Sequence, residues 1–162
     1  MAVLFASIPR CASRTLREKN LIGEVVGKDH ARIVDYPNWN QYEWMVVTRP
    51  EADWYASWWH EAKSTHDAME HLVGLRFVSL EDDLKRLKNP PQDIVLPKMG
   101  GVHSWIPANF CEEYPKSNLG FMEYCYSIIV GDVPCSLLPL SDLDAWLTDH
   151  GYAPIHLNSR SA

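Results

Sequence analysis

The chain has 162 residues, of which 46% are hydrophobic and 22% charged, and its formal net charge is −6. That is the length of about one domain and the composition of an ordinary globular one, which excludes a disordered tail, a collagen-like chain and a disulfide mini-protein. An acidic chain is also a poor footprint for duplex nucleic acid, which calls for clustered positive charge, although a local basic pocket for a small anion remains open.

Val3 to Ile8 is a short apolar run stopped by Pro9, and it reads as a buried strand. It is too short for a signal-peptide core, and no later run approaches the roughly 20 apolar residues needed to span a bilayer. Ser13 to Asn20 reads as a short polar helix, and Tyr42 to Thr48 as a second strand of the continuous apolar kind found in parallel sheets. Pro50 ends that strand and opens a helix running to about Lys63. Leu75 to Val78 reads as a third strand, and Ser79-Leu80-Glu81-Asp82 as a capped helix start continuing to about Leu87. The stretch from Asn89 to Ser117 is rich in Pro, Gly and aromatics and lacks periodicity, a character often tied to function.

Tyr124 to Val130 reads as either a strand or the end of a helix, and Ser136 to Leu138 as a short apolar segment. Ser141 opens a helix with acidic residues in its first turn, closed by Gly151. Strands alternating with helices, with no repeat and no dividing linker, give the expectation of a single α/β domain over residues 1–162, its mainly parallel sheet flanked by helices. The four cysteines, Cys11, Cys111, Cys125 and Cys135, form no CxxC pair and show no metal-ligand spacing. They read as reduced thiols of a cytoplasmic protein, with secretion and disulfides as the alternative.

Two segments carry candidate chemistry. The first strand runs into Pro9-Arg10-Cys11-Ala12-Ser13-Arg14-Thr15 and then a helix. A strand–loop–helix of this kind aims backbone N–H groups at one point, which attracts phosphate or sulfate. Arg10 and Arg14 add charge, and Ser13 and Thr15 add hydroxyl donors. The GxxxxGK[ST] pattern is absent, with its magnesium-holding hydroxyl, so a metal-dependent nucleotide hydrolase is disfavoured. The plain alternative is a β–α turn with two solvated arginines.

In the second segment, the strand ends in Arg49-Pro50 and Ser57 follows on the next helix. Seven residues of helix place Pro50 and Ser57 on one face, about 10 Å apart along the axis. Arg49 and Ser57 are thus placed to pinch one phosphate, for which the planar guanidinium fork is suited. The plain alternative is an exposed Arg and a helix-interior Ser.

Together the two segments resemble the sulfotransferases that use 3′-phosphoadenosine 5′-phosphosulfate. The first loop of that family reads like PK(T/S)(G/A)(S/T)(T/S)(S/T), and its second motif like R-(N/D)-P-x-x-R-x-x-S. The stretch from Thr48 to Trp59 is similar to the latter, with one residue fewer between Arg and Pro. Asp29-His30-Ala31-Arg32 is similar to a GH- or KH-containing stretch of the carbohydrate 2-O-sulfotransferases. The tail, Ala145-Trp146-Leu147 and then Ile155 to Ser159, is similar to the ending of many members.

The resemblance implies a P-loop-like sulfotransferase fold and a metal-independent transfer of a sulfuryl group to a hydroxyl of a carbohydrate or small molecule. It implies that Arg10, Cys11, Ala12, Ser13, Arg14 and Thr15 hold the 5′-phosphosulfate. Arg10 stands where the family has a catalytic Lys and would stabilise charge on the bridging oxygen. Arg49 and Ser57 would bind the 3′-phosphate, and His30 would be the base for the acceptor hydroxyl, with His103 as second choice. The implied partners are the nucleotide donor and a hydroxyl-bearing acceptor, with no nucleic acid or membrane. In so short a chain the acceptor site is trimmed, takes a small acceptor, or is completed by oligomerisation. Trp54, Trp58 and Trp59 read chiefly as core, with stacking on adenine or sugar as the alternative. Two other readings are a nucleotide-binding protein of this fold without catalysis, and an unrelated α/β P-loop-like kinase or assembly protein.

Overall fold

The computed structural model describes residues 1–8, 10–22, 31–65, 75–88 and 115–154. The protein is α/β, and among the described residues its sheet has three strands in the order β1-β2-β3. Strand β1 spans Ala2–Phe5, β2 spans Tyr42–Thr48 and β3 spans Cys135–Pro139. Both pairings are parallel: Phe5 lies opposite Met45, and Thr48 opposite Pro139. The described α-helices are α1 (Ser13–Glu18), α2 (Glu51–Thr65), α3 (Leu80–Lys88), α4 (Phe121–Val130) and α5 (Leu143–Asp149). None is long and apolar enough to cross a membrane.

Strand β2 is central because its side chains can be covered: Trp44, Val46 and Val47 are all buried. It matches the predicted bounds. Strand β1 stops three residues earlier than the apolar run. The Ala6 N–H still bonds Met45 O, but Ile8 N–H turns back onto Ala6 O at 3.0 Å and leaves the ladder. The third strand is β3, not residues 75–78. Phe77 has φ of 54°, a left-handed conformation no strand accommodates, and the N–H groups of Arg76 and Phe77 are spent on the Asp83 carboxylate at 3.1 and 2.9 Å. Residues 121–130 settle as helix, and the predicted start at Ser141 falls inside a 3₁₀ turn, Leu140–Asp142, so the last described α-helix begins two residues later, at Leu143.

The core is aromatic. Trp54, Tyr55, Trp58 and Trp59 of α2 are all buried, and the rings of Trp54 and Trp58 lie 5.9 and 4.8 Å from that of Phe121 on α4. Their stacking faces are thus consumed by packing. Trp59 Nε1 donates to Asp83 Oδ2 at 2.8 Å, which ties α2 to α3. The N–H of Met122, in the first turn of α4, donates to the Tyr55 hydroxyl at 3.1 Å. On α5, Trp146 meets Phe5 of β1 edge to face at 5.0 Å, so the last described helix returns to the first strand.

Candidate functional site

Parallel pairing brings the C-terminal ends of β1 and β2 to one edge of the sheet, where α/β folds commonly hold ligands. The two arginine segments leave from that edge and meet there. Arg10 Nε donates to Ser57 Oγ at 2.8 Å, and Arg49 Nη1 donates to the carbonyl oxygen of Arg10 at 2.8 Å. Positions 10, 49 and 57 therefore form one cluster, in which Arg49 holds the Arg10 main chain and Ser57 the Arg10 side chain. Ser57 is 2% exposed, while the Arg10 side chain keeps about a third of its surface in solvent.

The loop is shaped by unusual backbone. Arg10 and Ala12 have φ of 60° and 61°. Ala12 is left-handed and directly precedes right-handed Ser13, a sequence of conformations in which consecutive N–H groups converge on an anion-sized hollow. Helix α1 is only six residues long, so its dipole adds little to this hollow. Ser13 spends its proton on the loop itself, donating to Ile8 O at 2.6 Å. Arg14 is exposed and Thr15 half-buried. A left-handed Ala costs about 1 kcal/mol relative to Gly, and a β-branched residue costs more. Ala12→Val is therefore expected to lower stability by about 2 kcal/mol, whereas Ala12→Gly stays within about 0.5 kcal/mol of the parent in urea unfolding.

Cys11 lies between these residues but faces inward and is 2% exposed. The Tyr126 hydroxyl donates its single proton to Val47 O at 2.8 Å, so in the 3.5 Å contact with Cys11 the thiol is the donor. Burial pushes the thiol up from its usual value near 9 to about 11, against the lowering effects of the Arg49 and Arg10 charges. A protonated, inward-facing sulfur is not a nucleophile at neutral pH. Folding thus keeps a proton that the unfolded chain releases above about pH 9. Stability from this group is full below pH 9 and falls as pH rises through 11, by on the order of 2 kcal/mol. Urea unfolding at pH 8, 10 and 11 should show that fall, and Cys11→Ala should make it shallower.

Beside the cluster, between the ends of β2 and β3, lies a pocket of about 510 Å³ lined by Thr48, Arg49, Pro50, Asp53, Leu140 and Ser141. Arg49 belongs to both the pocket and the loop cluster. The volume suits a nucleoside-sized group, and Pro50 and Leu140 offer apolar walls. The pocket escaped the sequence reading because Leu140 and Ser141 reach it only through the pairing of β3 with β2.

The sequence reading also missed Glu61. Its Oε2 lies 3.9 Å from Arg10 Nη1. The signal was its position one turn beyond Ser57 on α2. The candidate base His30, its neighbour Asp29 and the second choice His103 lie outside the described residues, as do Pro9, Trp105, His66, His71, His156, Cys111 and the tail from Ile155. His60 is exposed beside the Trp59 ring, and exposed His150 stacks on Trp146 at 3.9 Å, so both serve surface packing. Cys11, Cys125 and Cys135 are free thiols. No cluster of three or more His, Cys, Asp or Glu suited to a metal occurs among the described residues.

Compared with protein-family models, with curated proteins and with solved structures, the chain matches none.

Proposed function

We propose that the chain is a sulfotransferase that moves a sulfuryl group from 3′-phosphoadenosine 5′-phosphosulfate to an acceptor hydroxyl. The observation that carries this reading is the meeting of Arg10, Arg49 and Ser57 at one sheet edge. They come from two sequence segments that each resemble one half of the family's donor site.

Three details support it. The step from Arg49 to Ser57 is eight residues, the same as from Arg to Ser in the family motif, so the early Pro50 leaves the Arg–Ser pair in register. Ala12, where the family motif has Gly or Ala, is one of the two residues of the loop with positive φ. The pocket bordering Arg49 has room for the nucleoside of the donor.

In this reading the S–O bond to the bridging oxygen breaks as a bond forms from sulfur to the acceptor oxygen. The acceptor proton passes to a base, for which His30 is the candidate. Negative charge gathers on the bridging oxygen. Arg10 cannot give up a proton, so it acts as a fixed cation there. Converging N–H groups and two arginines supply positive potential of the kind magnesium supplies in kinases, as suits a sulfuryl group, which is less charged than a phosphoryl group. Arg49 and Ser57 take the 3′-phosphate, which separates this donor from ordinary adenylates. Arg10 in place of Lys favours one second reading, a protein of the same fold that binds the nucleotide without transferring sulfate.

The test is transfer of labelled sulfate from the donor to a panel of sugars and phenols, with release of the bisphosphate as the common readout. Transfer that falls about a hundredfold or more in Arg10→Ala supports the enzyme. Donor binding with no transfer to any acceptor favours the second reading. No donor binding overturns both, leaving an unrelated α/β protein.

A further inference from the structure

Strand β1 leaves β2 just before the loop, and a side chain from α4 fills the gap. The Ala6 N–H bonds Met45 O, so in a continued parallel ladder the Ile8 N–H, two residues on, would bond Val47 O. It bonds Ala6 O instead, and the Val47 carbonyl is taken by the Tyr126 hydroxyl at 2.8 Å. The same hydroxyl oxygen receives the Cys11 thiol proton across 3.5 Å. Val47 lies two residues before Arg49, and Cys11 directly follows Arg10. One oxygen atom thus touches both the end of β2 and the loop. Its helix is fastened to α2, which carries Ser57: the Met122 N–H donates to the Tyr55 hydroxyl at 3.1 Å, and Phe121 packs against Trp54 and Trp58.

We infer that Tyr126 is a positioning residue: its hydroxyl stands in for the missing ladder bond, fastens the loop to the end of β2, and so fixes the distance between the Arg10 and Arg49 segments. The other tie between the segments, from Arg49 Nη1 to Arg10 O, runs through a long side chain that also lines the pocket, whereas Tyr126 acts from the packed side of the sheet edge. A ligand with one phosphate on each segment feels that distance, and a ligand with a single phosphate does not. The hydroxyl therefore sets selectivity for the bisphosphate over 5′-AMP. That selectivity rests on the proposed donor reading; the fastening of the loop does not.

Tyr126→Phe removes the hydroxyl and keeps the ring. It is compared with the parent and with Ser127→Ala, which removes a hydroxyl from the next, exposed position of α4. The first readout needs no ligand: alkylation of Cys11 by iodoacetamide, followed by peptide mass spectrometry and taken relative to Cys125, the buried thiol of α4. Global loosening speeds both thiols alike, whereas release of the loop speeds Cys11 alone. The second is calorimetric titration with 3′,5′-adenosine bisphosphate and with 5′-AMP. Tyr126→Phe is expected to raise the Cys11-to-Cys125 ratio about tenfold, to weaken the bisphosphate about tenfold and to weaken 5′-AMP by less than threefold. Ser127→Ala should change each by less than twofold. An unchanged thiol ratio, or an equal rise in Ser127→Ala, overturns the inference. So does a raised ratio with equal weakening, or none, of the two nucleotides. In each case a parent that binds the bisphosphate tightly leaves the donor reading standing. A raised ratio where the parent binds neither nucleotide keeps the fastening of the loop and overturns the donor reading.

Discussion

Arg49→Ala is expected to lower affinity for 3′,5′-adenosine bisphosphate by about a hundredfold or more, and affinity for 5′-AMP by much less. The guanidinium does two things at once. It holds the Arg10 carbonyl at 2.8 Å, and it lines the neighbouring pocket. A charge-assisted hydrogen bond contributes about 1.5–3 kcal/mol, so loss of two to the 3′-phosphate amounts to about a hundredfold or more. Arg49→Lys separates the roles: the charge stays, the fork is lost, and affinity should fall about tenfold. Equal losses for the two nucleotides in Arg49→Ala would show that Arg49 acts only by holding the loop.

The second large effect is on stability. Asp83 is 3% exposed and accepts three hydrogen bonds, from Trp59 Nε1 and from the backbone N–H groups of Arg76 and Phe77. It joins α2, α3 and the left-handed turn at Phe77 in one knot. Asp83→Ala strands one buried and two part-buried donors, at up to about 1–3 kcal/mol each and partly relieved by water. The expected loss is about 4 kcal/mol, or a fall in Tm of roughly 8–16 °C for a domain of this length. Asp83→Asn keeps an acceptor for two donors but turns an amide N–H₂ towards the third, so it should lose about half as much. A fall under about 1 kcal/mol in Asp83→Ala, read by urea unfolding, would contradict this role.

The fold was legible where one element decided its own structure. Tyr42–Thr48 announced a buried strand because its apolar residues are continuous, and Glu51–Thr65 announced a helix behind Pro50. Strand β3 did not, because Ser136, Leu137 and Pro139 are exposed and the segment is held by backbone pairing with β2. Residues 75–78 carried strand-like side chains, but the Asp83 carboxylate, several residues later, bends their backbone into a cap. Ser79 did read correctly as a cap, its Oγ lying 3.4 Å from the Asp82 N–H.

The site divides the same way. Arg10, Arg49 and Ser57 could be nominated separately from strand–loop–helix patterns. Their contact depends on the parallel register of β1 on β2, which no local pattern states. Arg10 binding to Ser57 and Glu61, and Ser13 closing its own loop, are products of packing and were invisible to spacing. The tryptophans of α2 went the other way: their helical periodicity marked them as core, and core is where they are.

In the proposed function this sheet edge reads a 3′-phosphate. That role is tested most directly by calorimetric titration of the parent protein with 3′,5′-adenosine bisphosphate and with 5′-AMP under identical salt. One site per chain and at least tenfold tighter binding of the bisphosphate are expected. Equal affinity for the two nucleotides, or binding of neither, would contradict that role.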